Sequence, residues 1–221
     1  MRNNNNGKLN AAEGALAYVK DGMTVGLGSG TTAELFIRLL AKKNLDVRCV
    51  PTSIKTANVA KRCGLKMVKF SPKLKIDLAV DGADGVDGSL NLIKGYGGAM
   101  LMEKIVDYAA RRFIVIVDGS KVRKRLDGRV PLEVERNLSS SVISELDLMG
   151  IESETRRKGD RNWITDNGNS IVDAYFAEVK NPRELDAKLK RIDGVIETGL
   201  FTGAVWKVIV GSGKGARILK R

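Results

Sequence analysis

The sequence predicts an α/β fold: a Rossmann-like, mostly parallel sheet with helices on both faces, carrying a small inserted α+β (ferredoxin-like) domain. Three observations support this. Apolar, strand-like runs alternate with helix-like stretches up to about residue 117, glycine-rich or polar turns end the early runs, and the texture changes near Leu126 before an apolar run returns near the end.

The strand-like runs are "MTVGLG" (23–28), "VRCVP" (47–51), "LKMVKF" (65–70), "IDLAV" (76–80) and "FIVIV" (113–117). Helix-like stretches occupy 31–43, 53–63 and 98–111, so the order is β-α-β-α-β. In such sheets ligands bind beyond the carboxyl ends of the strands, which directs attention to the turns at 26–32, 52–53 and 81–88. From about Leu126 come "VPLEVE" (130–135), a helix-like "SSSVISELDLMG" (139–150), a polar strand-like segment near 151–158, "SIVDAYFAEV" (170–179) and "PRELDAKLKR" (182–191). That order, β-α-β-β-α, suits a small α+β module. The run "VWKVIVG" (205–211) is expected to rejoin the parallel sheet, followed by a basic helix-like tail. The expected domains are therefore 1–127 with 205–221, and an inserted 128–204 that serves oligomer contacts.

Composition narrows the chemistry. With 221 residues, 43% hydrophobic and 29% charged, the chain can bury a sizeable core without disulfides or metal staples. No apolar run has the length needed to cross a bilayer. The start "MRNNNNGKLN" has no apolar h-region, so a cytoplasmic location is expected, with loose order over 1–7. Cys49 and Cys63 form no C-x-x-C pair, which argues against a zinc site and a redox motif. Histidine is absent, which removes Ser-His-Asp and Cys-His systems and H-E-x-x-H zinc sites. Proton chemistry falls to carboxylates and lysines. The net charge of +12 favours an anionic partner, nucleic acid or a phosphorylated small molecule. The basic clusters "KVRKRLDGR" (121–129) and "RRKGDR" (156–161) lack the interleaved aromatics of a single-strand platform and read as solvated surface.

Three motifs carry candidate chemistry. "VGLGSGTTAELFIRLL" (25–40) is a strand, a glycine turn and a helix start, with Ser29, Thr31 and Thr32 at the expected cap and first turn. Its free N–H groups suit a phosphate, although it is neither a Walker A loop nor G-x-G-x-x-G. An ordinary capped helix is the competing reading. "VDGADGVDG" (80–88) fails calcium-loop spacing, because Ala83 and Gly85 stand where carboxylates or amides would have to be. Asp87 reads as turn chemistry, whereas Asp81 directly follows an apolar strand. "IKGYGGAMLMEKIVDYAARR" (93–112) places Lys94 in a glycine turn and Glu103 on a helical face shared with Ala99, Val106 and Ala110. Partial burial there would raise a carboxylate towards the range of a general base; an amphipathic boundary residue is the alternative.

Taken in order, "GLGSGTTA", "VDGAD", "KGYGGAMLMEKI", "VDGSK" (117–121), "TDNGN" (165–169) and "GVIETGLF" (194–201) closely resemble the ribose-5-phosphate isomerase A family, over nearly the whole chain. The resemblance implies an aldose–ketose isomerase that needs no cofactor and no metal and interconverts ribose 5-phosphate and ribulose 5-phosphate through an ene-diolate. It assigns the general base to Glu103, and ring opening, proton shuttling and oxyanion stabilisation to Asp81, Asp84 and Lys94. Substrate binding is carried over onto Ser29, Gly30, Thr31, Thr32, Gly82, Ala83, Gly95, Tyr96, Gly97 and Lys121, with Lys8 as an N-terminal phosphate ligand. Tyr96 stands at a variable family position, and Thr198 replaces a histidine often found before "GLF". "TDNGN" reads as a structural turn. The implied partner is a phosphorylated pentose, with no nucleic acid or membrane, and the implied assembly a homodimer or homotetramer. Two alternatives are a CoA transferase, in which a glutamate is the acyl acceptor, and a basic binding module without catalysis.

Overall fold

The computed structural model describes residues 2–220. In chain order the elements begin with α1 (Arg2–Leu16), β1 (Thr24–Leu27), α2 (Thr31–Ala41), β2 (Arg48–Pro51), α3 (Ile54–Arg62), β3 (Lys66–Met67) and β4 (Leu78–Asp81). Next come β5 (Gly85–Val86), β6 (Leu92–Ile93), α4 (Met100–Ala109), β7 (Phe113–Asp118), β8 (Leu126–Val134), α5 (Ser139–Leu148) and β9 (Ser153–Thr155). The chain continues through β10 (Arg157–Lys158), β11 (Arg161–Asn162), β12 (Ser170–Val179), α6 (Pro182–Leu189) and β13 (Val195–Thr198). The last elements are β14 (Leu200–Phe201), β15 (Lys207–Ser212) and β16 (Gly215–Leu219).

These elements form two compact units. The first takes the chain up to Ala83, Met102–Val122 and the stretch from Gly203 onward; the second takes Asp84–Leu101 and Arg123–Thr202. The expected boundaries at 127/128 and 204/205 differ from this partition: 84–101 and 123–127 join the smaller unit, and 203–204 the larger one. The cause is pairing: β5 and β6 build a three-stranded sheet with β14, and Ile93 and Tyr96 share one apolar cluster with Leu126.

In the first unit a seven-stranded sheet has the order β16-β15-β7-β4-β1-β2-β3, and every neighbouring pair except β15–β16 is parallel. Alternation along the strands assigns the two faces. Val25, Leu27, Leu78, Val80, Ile114 and Ile116 pack with Phe36, Ile37 and Leu40 of α2, Val59 of α3 and Ala11, Ala12 and Ala15 of α1. Val50 instead packs with Val106 of α4, and a side chain at Gly26 would lie 2.7 Å from Val106. Helices thus cover both faces, as predicted.

Two terminal expectations change. The chain is helical from Arg2, where loose order was expected over 1–7; Met1 lies outside the described residues. This helix lies against β15 because two glycines meet there: a Cβ at Gly211 would sit 1.8 Å from the Gly7 carbonyl. The basic tail is not helical but forms β16, antiparallel to β15, with Ser212 opposite Gly215. The hairpin turns at residues 213–214, Gly215 opens β16 at φ +130, which L side chains rarely adopt, and Arg217 gives the exposed edge strand a charge.

Besides the β5, β6 and β14 sheet, the second unit carries β8, α5, β9, the β10–β11 hairpin, β12, α6 and β13 in that order, and β8, β9, β12 and β13 form an antiparallel sheet of order β13-β8-β12-β9. Leu132, Val134, Val172 and Ala174 meet Val142, Leu146 and Leu189 of the two helices. Apart from the hairpin, this order extends the expected β-α-β-β-α by the strand β13. Among the described residues, no helix is long and apolar enough to cross a membrane.

Cys49, in β2, is fully buried, and that burial pushes its thiol pKa up to about 12. At about pH 8.5, an ordinary cysteine's pKa, Cys49 therefore stays protonated and inert. Titration of the native protein with a thiol reagent is expected to modify partly exposed Cys63 and to reach Cys49 only on unfolding. Equal, rapid labelling of both native thiols would contradict this.

Candidate active site

In the first unit, the turns after β1, β2 and β4 are tied together at the carboxyl ends of adjacent parallel strands. Asp81 ends β4 fully buried, and its Oδ1 accepts the backbone N–H of Ser29 at 2.9 Å and of Gly82 at 2.6 Å. Gly28 makes this approach feasible: a Cβ there would stand 2.0 Å from the Asp81 carboxylate. The Ser29 hydroxyl lies 2.9 Å from Thr52 Oγ1, 2.9 Å from Ser53 Oγ and 3.0 Å from Thr56 Oγ1. Thr52 Oγ1 donates to the Leu27 carbonyl at 3.1 Å and Thr56 Oγ1 to the Gly28 carbonyl at 3.0 Å. Ser53 also caps α3, accepting from the Thr56 N–H. A hydroxyl cluster thereby locks the glycine turn onto the following loop.

Ser29 does not cap α2, which departs from the expectation for this motif. The cap is Gly30, at φ +98, with no side-chain hydrogen bond. The first-turn amides of α2 thus have no side-chain acceptor at their start, an arrangement that suits an anion. Thr31 is exposed and its Oγ1 accepts a hydrogen bond from Lys8 Nζ at 3.0 Å, whereas Thr32 is buried. Lys8 is thus at the glycine turn despite its distance in sequence.

Glu103 lies in the first turn of α4, 5% exposed, near fully buried Val106 on the face turned to the sheet. Lys104 and Asp107 are buried as well, so this helix carries an unusual load of buried charge. Lys121 ends a short 3₁₀ turn after β7, capped by Asp118, whose Oδ1 accepts the Ser120 N–H at 2.9 Å. Gly82 and Ala83, half-buried, lead out of β4 to Asp84, where the chain enters the second unit.

In the second unit the turn Lys94–Gly98 is held on several sides. The Lys94 N–H donates to the Gly199 carbonyl at 2.8 Å, and its side chain, 2% exposed, places Nζ 5.4 Å from the centre of the Phe201 ring. Asp84 Oδ2 accepts the Tyr96 N–H at 3.0 Å. Gly95, at φ +101, and Gly98, at φ +77, adopt conformations that a side chain would strain. Gly97 is exposed, and the Arg129 guanidinium stacks 4.2 Å from the Tyr96 ring centre. Arg156 reaches the turn too, donating from Nη1 to the Gly95 carbonyl at 2.8 Å and to the Tyr96 carbonyl at 3.2 Å.

Arg156 corrects the reading of "RRKGDR" as solvated surface. It is 6% exposed and paired with buried Asp173, while Arg157, Lys158 and Arg161 are exposed. Asp87 behaves as expected: Oδ1 accepts from the Ser89 and Asn91 N–H groups and Oδ2 from the Asn91 side chain, closing its own turn. "TDNGN" is likewise a turn, folded over buried Glu133, whose Oε1 accepts from Thr165, Asn167 and Asn169 at 2.9, 3.0 and 2.9 Å. Sequence reasoning missed Thr52, Thr56, Arg156 and Asp173. Thr52 left its trace in the 52–53 turn already singled out, and Thr56 in the Ser53-x-x-Thr56 cap spacing; Arg156 and Asp173 left none.

Parallel strands ending in glycine, hydroxyl and carboxylate turns, beside a helix start open to an anion, describe an α/β enzyme of small anionic substrates. The sequence profile described as Ribose 5-phosphate isomerase A (phosphoriboisomerase A) matches residues 48–215. A ribose-5-phosphate isomerase A from Methanococcus aeolicus is 46% identical, with 97% of this chain and 94% of that protein covered. One from Archaeoglobus fulgidus is 43% identical over 96% and 98%. Among solved structures, ribose 5-phosphate isomerase A from Methanocaldococcus jannaschii superimposes with a TM-score of 0.91 at 41% identity, covering 97% of this chain and 98% of that one. A D-ribose-5-phosphate isomerase solved with phospho-erythronic acid reaches 0.93 at 40% identity, covering 97% of each. The chain belongs to the ribose 5-phosphate isomerase A family.

The Gly28–Asp81 contact is directly testable. Gly28→Ala is expected to push Asp81 off the Ser29 and Gly82 amides, lowering kcat/KM by about 100-fold, the scale expected for a misplacement of about 1 Å. Steady-state isomerase assays with a thermal melt check it. Wild-type turnover by a folded Gly28→Ala protein would show that the contact carries no functional weight.

Proposed function

We propose that the chain interconverts ribose 5-phosphate and ribulose 5-phosphate, with Glu103 as the general base. One observation carries the reading beyond family membership: a carboxylate of the E-K-I segment is buried near the start of α4, in a protein without histidine. In the open-chain aldose the Glu103 carboxylate takes the proton from C2. The electron pair forms the C1=C2 bond and the negative charge moves to O1, giving an ene-diolate. Transfer of the O2 proton to O1 and return of the carboxyl proton to C1 yield the ketose, so the proton count balances without a redox partner. A carboxylate does this best when shielded from water, since a desolvated base is stronger.

Asp81, Asp84 and Lys94 share ring opening, proton movement between the hydroxyl oxygens and neutralisation of the developing oxyanion. An ammonium with little water around it, as at Lys94, stabilises such charge far better than one in bulk solvent. Backbone groups of Gly95, Tyr96 and Gly97 and of Gly82 and Ala83 bind the sugar. Ser29, Gly30, Thr31, Thr32, Lys8 and Lys121 serve the phosphate end and adjacent hydroxyls; the Lys8–Thr31 hydrogen bond and the uncapped start of α2 support that part. The enzyme acts in the cytoplasm as a homodimer or homotetramer, a state that light scattering on the purified protein reads directly.

Glu103→Gln retains hydrogen bonding but removes the base, so kcat should fall roughly 10²–10⁴-fold with little change in substrate affinity. The assay is ketose formation from ribose 5-phosphate in buffer containing a chelator. Near-wild-type turnover by the variant would eliminate this mechanism. A thioester formed with acyl-CoA, and no reaction with pentose phosphate, would favour the CoA-transferase reading instead.

A further inference from the structure

The carboxylate of Asp173 is 1% exposed and sits in the middle of β12, where two guanidinium groups converge on it. Arg156 meets it with two nitrogens, Nε donating to Oδ2 at 2.8 Å and Nη2 to Oδ1. Arg129 donates to Oδ2 at 3.3 Å and stacks on the Tyr96 ring. This pairing uses one edge of the Arg156 guanidinium and leaves Nη1 aimed at the turn that follows Lys94.

The Gly95–Tyr96 peptide is therefore gripped at both ends. Its carbonyl oxygen accepts from Arg156 Nη1 at 2.8 Å, and its N–H donates to Asp84 Oδ2 at 3.0 Å. A cation at the carbonyl end and an anion at the N–H end polarise the peptide in the same sense, so each contact strengthens the other. The second carbonyl, that of Tyr96, also accepts from Nη1, at 3.2 Å. Gly95 at φ +101 has little steric preference of its own for this conformation, so the orientation of the plane comes from its partners.

We infer that Arg156, anchored by Asp173, is a positioning residue: it sets the Gly95–Tyr96 peptide and, through its N–H, the carboxylate of Asp84. The inference rests on the proposed reading that Asp84 and the 94–97 turn contact the sugar. Only an arginine can serve here. A lysine could neutralise Asp173 but has a single nitrogen, which cannot hold both carboxylate oxygens and reach Gly95.

Three proteins test it: wild type, Arg156→Lys and Arg156→Met, compared for Tm, for kcat and KM, and for the Kd of phospho-erythronic acid. Arg156→Lys keeps a cation against Asp173 and is expected to fold. Its Kd for the probe should rise and its kcat/KM fall, each by about 10- to 100-fold, with KM rising because the turn contacts the sugar before the reaction begins. Arg156→Met should lose at least as much. A lower Tm with wild-type Kd and kcat/KM would mean that the arginine only stabilises the fold, and the inference would be overturned.

If neither variant folds, isotope-labelled wild type decides. Adding phospho-erythronic acid should shift the Arg156 side-chain N–H and Tyr96 amide resonances with one common midpoint, and resonances that stay still would overturn the inference. Wild type that neither binds the probe nor turns over ribose 5-phosphate would refute the proposed function, and with it this inference.

Discussion

A carboxylate with no access to water has to be met by donors, and Asp81 meets that constraint by drawing neighbouring strand ends around itself. It ends β4, fully buried, and its Oδ1 accepts from the backbone amides of Ser29 and Gly82. Using them brings the end of β1 within contact of β4, closer than any side chain at position 28 would permit. Once that approach is made, the Ser29 hydroxyl is drawn into the cluster with Thr52, Ser53 and Thr56, and the loop after β2 is fixed too. Three strand ends are thus organised around one anion. Losing its donors would cost about 1–3 kcal/mol or more, the penalty for an unsatisfied buried polar group.

The second unit repeats this logic with different donors. Asp173 is answered by guanidinium groups, and Glu133 by a hydroxyl and two side-chain amides of the 165–169 turn. Apart from Arg129, which sits in β8, each donor belongs to a segment that has no regular secondary structure of its own to hold it. Arg156 follows β9 and reaches the Lys94–Gly98 turn; Thr165, Asn167 and Asn169 fold back over β8. Buried anions therefore do for these loops what ladder hydrogen bonds do for strands. They define position where the backbone has many alternatives. The net charge of +12 contains a contribution that composition cannot separate: Arg156 lies inside, while Arg157, Lys158 and Arg161 face solvent.

Much of this architecture was legible from periodicity. The strands at 24–27, 48–51, 78–81 and 113–118 and the helices at 31–41, 54–62 and 100–109 lie within a few residues of the expected spans. Each pairs an apolar period with a recognisable start or stop. The errors share a cause as well. The tail after Lys214 carries helix-favouring Arg217 and Lys220, but its residues 215–219 pair with β15, and the N-terminal residues read as loose until Gly7 meets Gly211. For the N-terminus the partner lies about 200 residues away, and such contacts outweighed local preference, which amounts to a fraction of a kcal/mol per residue. The boundary of the smaller unit moved for the same reason, since β6 pairs with β14 across more than a hundred residues and carries β5 with it.

The chain's own order of residues determined which groups are available: carboxylates and lysines without histidine, glycines where turns must close, and hydroxyls beside a helix start. It also determined that Asp81 directly follows an apolar run, with Asp84 close behind it in the same glycine-rich turn. Tertiary structure alone decided how these groups are held. That Asp81 leans on Gly28, that Ser29 reaches Thr56 rather than capping α2, and that Arg156 bonds the Gly95 carbonyl depend on contacts between residues 27 to 61 positions apart. Such contacts leave no periodic trace in a sequence. They form only when burial has removed water as the competing partner, and that removal is a property of the folded chain.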